Sequence, residues 1–385
     1  MSLNNKKKKI MTIFGTRPEA IKMSPLIHEL KKHKELKTLV CVTGQHRQML
    51  DQVLNIFDIK PDYDLNIMKD RQTLVDVTTR VLRGLNQVMN EAKPDMVLVH
   101  GDTTTTFIAS LAALYNKVAV GHVEAGLRTK NKYSPFPEEM NRQLTGVIAD
   151  LHFAPTDVSA NNLLRENKPE NAIFITGNTV IDAQKTTIRR DYSHPVLKEL
   201  NSLRLILMTA HRRENLGEPM GRIFKAIRRL VEKHEDIAVV YPVHLNPAVR
   251  KSVQDTLGDH SRIHLIEPLN VIDFHNFMSR SYLILTDSGG VQEEAPALGV
   301  PVLVLRNTTE RPEGVAAGTL KLAGTDEDVI FQLADELLTD KNAYKQISQA
   351  ANPYGDGEAS RRITEAILYY YGFRKDKPDN FTCLN

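Results

Sequence analysis

Three carboxylates recur on loops that each follow or close an apolar run: Asp102 in "HGDTTTT" (100–106), Glu124 in "GHVEAGLRT" (121–129) and Glu138 in "SPFPEEMNRQ" (134–143). Like charges gathered in one cleft shift one another's pKa values and leave one protonated, which suits general acid–base work. Each has a plainer reading when taken alone. Asp102 would cap a helix, with the threonines supplying further hydrogen bonds. Glu124 would be the buried partner of Arg128, and Glu138 and Glu139 would serve the electrostatics of a first helical turn.

Cations gather on other loops. In "FGTRPEAIKM" (14–23), Gly15 and Thr16 make a turn and Pro18 suits a first helical position, with Arg17 and Lys22 close by. A helix N-terminus already favours anions, so a phosphate or diphosphate is the natural guest; a capped helix with two surface cations is the alternative. "TAHRRENLG" (209–217) sets His211, Arg212 and Arg213 ahead of a helix, a pattern that fits a phosphate or a solvated loop alike. His244 ends the run "YPVH", where a satisfied structural histidine is the plainer account, and "NTTERPEG" (307–314) adds Arg311. "DSGGVQEEA" (287–295) mixes both signs: Gly289 and Gly290 offer bare N–H groups to an anion, yet Glu293 and Glu294 follow at once. Val291 is third after Ser288, so this is not a Ser-x-x-Glu capping box and a local helix-start account is incomplete.

Such loops need a scaffold, and the apolar pattern supplies one. Short β-rich runs alternate with segments of helical period: "KKIMTIF", "LKTLVCVTG", "DMVLVHGD", "KVAVGHV", "LHFAPT" and "IFITGN", then, past a weakly patterned stretch, "LRLILMTA", "IAVVYPVH", "IHLIEP", "YLILTDS" and "VPVLVLR". Near-continuous apolar strands separated by helices mark parallel sheets covered on both faces. The expectation is α/β: two Rossmann-like, doubly wound domains, 1–187 and 188–357, with a C-terminal helix within about 358–385 returning to the first. In such sheets ligands bind beyond the carboxyl ends of the strands, where these loops lie.

Composition narrows the function classes. The chain has 385 residues, 41% hydrophobic and 25% charged, enough for a sizeable core. Its net charge of +3 owes much to the leader "NNKKKK", so no nucleic-acid footprint is indicated. Cys41 and Cys383 form no zinc or redox spacing, and no His-Glu-x-x-His occurs, so no metal is expected. "GDGEAS" at 355 lacks the third glycine of a nicotinamide fingerprint and follows no strand, so no cofactor is expected. Without an apolar span or a signal-peptide core, the expected setting is cytoplasmic, away from any membrane.

The motifs "FGTRPEAIKM", "QHRQMLDQVL", "HGDTTTT", "GHVEAGLRT", "NRQLTG", "ITGNTVID", "HRREN", "YPVHLNP", "LTDSGGVQEEAPALGVPVLVLRNTTERPE" and "NPYGDG" run in order from about residue 8 to about 370. Together they closely resemble the non-hydrolysing UDP-N-acetylglucosamine 2-epimerases. The resemblance implies the GT-B architecture with the nucleotide sugar in an interdomain cleft, a homodimer, and interconversion of UDP-N-acetylglucosamine and UDP-N-acetylmannosamine for cell-surface polysaccharides. It implies substrate contacts from Arg17, Lys22, Asp102, Glu124, His211, Phe274, Ser288, Gly289, Gly290, Glu294 and Arg311. Catalytic roles fall to Asp102, Glu124, Glu138, Lys22 and His211. It further implies a second UDP-N-acetylglucosamine acting as allosteric activator, at Gln45, Gln48, Arg71, Gln72, Glu138, Arg212 and His244.

The chemistry then reads as elimination. The hydrogen on carbon 2 is not next to a carbonyl and is not acidic, and no nicotinamide site offers an oxidative detour. A base would remove it while UDP leaves carbon 1, giving a 2-acetamidoglucal to which UDP adds back. That needs proton-handling groups on two faces and stabilisation of a departing diphosphate. A uridine nucleotide also resolves "DSGGVQEEA": phosphates take the N–H groups of Gly289 and Gly290, and ribose hydroxyls take the Glu294 carboxylate. A hydrolysing epimerase, a GT-B glycosyltransferase and a non-catalytic nucleotide-sugar sensor remain as alternatives; the three carboxylates argue against the last.

Overall fold

The computed structural model describes residues 7–44, 47–69, 72–200, 202–244 and 247–383. Two compact units divide the chain. The first runs to Ala183 and includes Gly355–Thr382; the second is Gln184–Tyr354.

In the first unit, β1 (Lys8–Phe14), β2 (Leu36–Val42), β3 (Tyr63–Asp64), β4 (Met96–His100), β5 (Ala119–Val123), β6 (Leu151–Ala154) and β7 (Ile173–Ile175) form one sheet in the order β3-β2-β1-β4-β5-β6-β7. In the second, β8 (Arg204–Thr209), β9 (Ile237–Pro242), β10 (Ile263–Ile266), β11 (Leu283–Thr286), β12 (Val302–Val304) and β13 (Leu320–Leu322) follow the order β10-β9-β8-β11-β12-β13. Every strand pair is parallel. The expected pair of doubly wound sheets is therefore present. Two strands escaped the sequence reading, β3 and β13, because as short sheet edges they carry no continuous apolar run: burial falls from partial to exposed along β3 and from buried to exposed along β13.

Helices cover these sheets for ordinary reasons. Helix Leu74–Ala92 buries Val77, Val81, Leu85, Val88, Met89 and Ala92 along one stripe, at steps of one, three or four residues, each large side chain contributing about 1.5–3 kcal/mol. Thr73 starts it, its hydroxyl accepting from the Asp76 N–H while the Asp76 carboxylate accepts from the Thr73 N–H. Losing that cap by Thr73→Ala would cost about 1 kcal/mol. Helix Ala359–Tyr370, in the first unit, has its N-terminal N–H groups capped from a distance: the buried Asp182 carboxylate accepts from Ala359 at 3.2 Å and Ser360 at 2.7 Å.

Strand order reverses between β1 and β4 in one sheet and between β8 and β11 in the other. Chains leaving two such strands diverge to opposite faces and open a crevice at the carboxyl edge. Most of the unusual polar loops follow these four strands and β5, while His244 follows β9 and Arg311 follows β12.

Candidate active site

In the first unit, β1 delivers Gly15, Thr16 and the helix Arg17–Lys31, with Arg17 exposed at its first position. Glu19 locks this loop. One of its oxygens accepts from the Gly15 N–H (3.0 Å) and the Thr16 N–H (2.8 Å), and the other from the hydroxyls of Thr103 (2.7 Å) and Thr106 (3.2 Å) beyond β4. A single buried carboxylate thus ties together the two loops that flank the switch point. Thr16 and Glu19 stand at capping-box spacing, the signal in the sequence that would have singled Glu19 out.

The Thr103 side chain, not Asp102, caps helix Thr104–Tyr115, accepting from the Thr106 N–H. Asp102 is released from capping. Its carboxylate instead accepts from Arg142 Nη2 at 2.6 Å, and its backbone carbonyl from Asn141 at 2.9 Å. Both partners sit on helix Glu138–Ile148, which brings Glu138, partly buried at the first helical position, to the same loop cluster. The neighbouring Glu139 does a different job. Fully buried, it accepts from the Thr129 and Lys130 N–H groups and from Gln143, holding the preceding loop.

Glu124 pairs with Lys22, accepts from Asn178 at 2.9 Å and has His100 Nε2 at 3.4 Å. Arg128 goes elsewhere, to a bidentate pair with Glu166 at 2.6 and 2.8 Å, so the Glu124–Arg128 pairing does not occur. Burial alone would push the Glu124 carboxyl up, but the Lys22 ammonium and His100 hold it well below the usual carboxylate range. The expectation that clustered like charges leave one acid protonated therefore fails at Glu124, because a cation stands against it. Its backbone φ of +59° is left-handed, a strain of roughly 1–2 kcal/mol for a residue other than glycine. Beneath the loop, buried His122 contacts the Gly101 carbonyl at 2.7 Å, and burial lowers its pKa to about 3, so it stays neutral.

In the second unit, Asp287 directly follows β11 and has no solvent exposure. One of its oxygens accepts from the N–H groups of His211 and Arg212 (2.8 Å each) and from Asn215 (3.1 Å). His211 Nδ1 lies 3.2 Å from the other. Burial would raise the Asp287 pKa, but these donors hold it down. The loop after β8 is thereby fixed rather than solvated. His244 stacks on His211, ring centroids 5.7 Å apart and 12° from parallel, so it joins the polar cluster.

Ser288 starts the short helix Gly289–Glu294 without using its hydroxyl as a cap. A Cβ placed on Gly289 would stand 3.9 Å from an Arg212 guanidinium nitrogen and 4.0 Å from one of Arg311, so two cations border this bare turn. Arg311 is anchored by the buried Glu293 carboxylate, and Tyr354 OH fixes the surrounding backbone, accepting from the Gly314 N–H at 2.9 Å. Glu293 thus serves Arg311. Glu294 differs: its Oε1 lies 3.2 Å from where a Gly290 Cβ would be, and its Oε2 is 3.1 Å from His275 Nε2. Phe274, one residue before, is partly buried against the apolar cluster under the sheet.

The structure thus places Arg17, Lys22, Asp102, Glu124 and Glu138 on the strand-end loops of the first unit and the helices that follow them, and His211, Arg212, His244, Ser288, Gly289, Gly290, Glu294 and Arg311 on those of the second. Gln72 lies on the first unit, its side-chain oxygen 3.3 Å from the Lys69 N–H. Gln45, Arg71 and the side chain of Gln48 lie outside the described residues. Asp287 and His275 went unremarked in the sequence; Asp287 had a signal, an acid set directly after an apolar run. Among the described residues, no group of His, Cys, Asp and Glu is placed to hold a metal ion and no helix is long and apolar enough to cross a membrane.

Two Rossmann-order sheets, each with a carboxylate-braced loop cluster at its switch point, define a two-unit α/β protein of the nucleotide-binding kind. Residues 28–368 match the family model described as UDP-N-acetylglucosamine 2-epimerase. The Bacillus subtilis UDP-N-acetylglucosamine 2-epimerase is 68% identical over 377 residues, 98% of this chain and 99% of that protein. An S. aureus structure solved with UDP superposes with a TM-score of 0.89 at 59% identity, covering 97% of this chain and all of that one (100%). The Neisseria meningitidis UDP-GlcNAc 2-epimerase bound to UDP-GlcNAc gives 0.85 at 52% identity, covering 94% and 99%. The chain belongs to the UDP-N-acetylglucosamine 2-epimerase family.

Proposed function

We propose that this protein interconverts UDP-N-acetylglucosamine and UDP-N-acetylmannosamine as a non-hydrolysing isomerase, by eliminating UDP and adding it back. The observation that carries the reading is the half-buried Lys22–Glu124 pair beside the Arg142-held Asp102: two cation-paired carboxylates on neighbouring loops, one sharing its cation with any diphosphate that arrives. In the forward step a carboxylate takes hydrogen from carbon 2 as a proton. The carbon 1–oxygen bond breaks, its electron pair leaves with UDP, and a carbon 1–carbon 2 double bond forms. In the return step a UDP oxygen re-bonds carbon 1 while a proton reaches the opposite face of carbon 2.

Asp102 and Glu124 handle these protons, with Glu138 as a third group at the same loops; each such role is worth ~10²–10⁴-fold. Glu124 at rest is a weak base because Lys22 holds its pKa down. When the diphosphate draws the Lys22 ammonium away, the buried carboxylate gains proton affinity, so base strength follows occupancy by the leaving group. Arg17, Lys22, His211, Arg311 and the Ser288–Gly290 turn stabilise the diphosphate, Glu294 takes the ribose, and Phe274 adds an apolar contact. A second UDP-N-acetylglucosamine serves as activator at Gln45, Gln48, Arg71, Gln72, Glu138, Arg212 and His244. The protein works as a cytoplasmic homodimer in cell-surface polysaccharide synthesis.

The test is incubation of the pure protein with UDP-N-acetylglucosamine in D₂O, followed by NMR. Deuterium at carbon 2 of UDP-N-acetylmannosamine is the expected result. Free N-acetylmannosamine would mean hydrolysis, and no exchange would remove the epimerase reading.

A further inference from the structure

His275 has no part in the proposed chemistry, yet it is almost wholly buried and aimed at the carboxylate assigned to the ribose. It sits on helix Val271–Met278, whose N-terminus is capped by the Asn270 side chain accepting from the Asp273 N–H. Its Nε2 is 3.1 Å from Glu294 Oε2, and its Nδ1 is 2.6 Å from the hydroxyl oxygen of Thr187, which has no solvent exposure. An ionised carboxylate only accepts, so Nε2 must carry a hydrogen in either charge state of the ring. In the neutral ring Nδ1 then accepts, and the Thr187 hydroxyl donates to it. Hydroxyl, imidazole and carboxylate form a directed chain that fixes the ring and, through it, the carboxylate.

The same short stretch holds the other end of Glu294, since Gln184 Nε2 donates to the Glu294 backbone carbonyl at 2.9 Å. With Oε2 tied to His275, Oε1 is the oxygen set beside Gly290. A glutamate on a surface turn would otherwise spread over several rotamers and lose that freedom only when ligand binds.

We propose that His275, backed by Thr187, is a positioning residue that presets Glu294 and thereby determines selectivity for ribonucleotides over 2′-deoxyribonucleotides. The inference rests on the reading above that Glu294 holds the ribose. A bound ribose diol would meet a carboxylate already turned to accept it, whereas a ligand lacking the 2′-hydroxyl would leave that preset acceptor short of a donor.

Calorimetric titration of the full-length protein with UDP, 2′-deoxyuridine diphosphate and inorganic diphosphate tests it. The wild type should prefer UDP over the deoxy nucleotide by about tenfold or more, as expected for a hydrogen bond to a charged group. In His275→Ala that preference should collapse towards unity while diphosphate affinity stays put. His275→Gln, which still offers an N–H, should restore part of it. Thr187→Val, close in shape and lacking only the relay hydroxyl, should lower it partially and covers the case in which the alanine variant does not fold. For UDP-N-acetylglucosamine turnover, KM should rise with kcat little changed, the signature of lost uniform binding. Undiminished preference in both His275→Ala and Thr187→Val overturns the inference and leaves the ribose reading intact. Absence of any preference in the wild type, or a preference untouched by Glu294→Gln, overturns the ribose reading and the inference with it.

Discussion

The two loop clusters occupy the same place in their sheets and carry opposite polarity. In the first unit one pair sets the cation behind the acid, the Asp102 side chain being 28% exposed while its partner Arg142 is 9%, and the other, Lys22 and Glu124, is covered almost evenly at 13% and 10%. In the second the acid stands behind the cation: His211 is 41% exposed over a wholly buried Asp287, and Arg311 is 13% exposed over Glu293 at 3%. The more exposed member of a pair is the one a ligand can reach. The first crevice therefore presents the Asp102 carboxylate, and the second presents the His211 ring and the Arg311 guanidinium. Two sheets of like strand order, seven strands in one and six in the other, thus differ in which charge their loop pairs leave open to a ligand.

The largest expected effects separate these roles. Glu124→Gln and Asp102→Asn should each cut deuterium exchange at carbon 2 by ~10²–10⁴-fold, with UDP affinity by calorimetry not weakened in either, and in Glu124→Gln raised if anything because Lys22 is released to the diphosphate. His211→Asn should instead weaken UDP by about tenfold, the scale of one hydrogen bond to a charged group. If Glu124→Gln weakens UDP as much as His211→Asn does, the division of labour between the units is wrong.

Next in size is the removal of a buried brace. Asp287→Ala strips the acceptor from two backbone N–H groups and the Asn215 amide and leaves His211 without its buried anion. About 3 kcal/mol of lost stability is expected from orphaning such donors, read from urea unfolding at constant slope. A loss below about 1 kcal/mol would show that solvent fills the gap and that Asp287 braces little.

Much of this arrangement was legible in the sequence, and what was not has physical causes. Apolar runs marked every central strand because both faces of a parallel sheet are buried; β3 and β13 were missed because an edge strand needs no such run. Motif loops marked the polar clusters at the sheet edges, but local reasoning paired their charges wrongly. Asp102 looked like a cap and Glu124 looked like the partner of Arg128, yet the true partners are Arg142, 40 residues on, and Lys22, 102 residues back. Contacts at that separation depend on which loops share a sheet edge, and pattern along the chain does not encode this. Glu19 and Asp287 stayed inconspicuous for the same reason, since much of what each holds lies across the switch point.

The Lys22–Glu124 pair sharpens the comparison through pH. The Glu124 carboxyl sits below its ordinary value near 4.5 because Lys22 and His100 outweigh burial. Stability from the pair is therefore complete above that ordinary value and is lost as pH falls through the lowered folded-state pKa. In Lys22→Met burial is opposed by less, the carboxyl rises, and the acid limb of the kcat/KM profile should move to higher pH. An unmoved limb would mean that Glu124 is not the group whose ionisation limits turnover.

The smallest effect expected is that of Glu19→Gln, and it separates the two braces most finely. Glutamine keeps one oxygen for the Gly15 and Thr16 N–H groups and turns its NH₂ towards the hydroxyls of Thr103 and Thr106. Hydroxyls rotate. That of Thr106 already has the His100 carbonyl at 2.5 Å, and that of Thr103 can turn to the Thr106 oxygen 3.1 Å away while its own oxygen accepts from the amide. Every donor then keeps an acceptor, so the cost should stay below about 1 kcal/mol, whereas Glu19→Ala should cost about 2–3 kcal/mol by leaving two backbone N–H groups bare. Asp287 has less latitude, because its partners are two backbone amides that cannot turn, the Asn215 amide and a histidine it serves as an anion. Were Glu19→Gln to cost as much as Glu19→Ala, the charge of Glu19 rather than its shape would be holding the loops, and the first unit would be braced in the same way as the second.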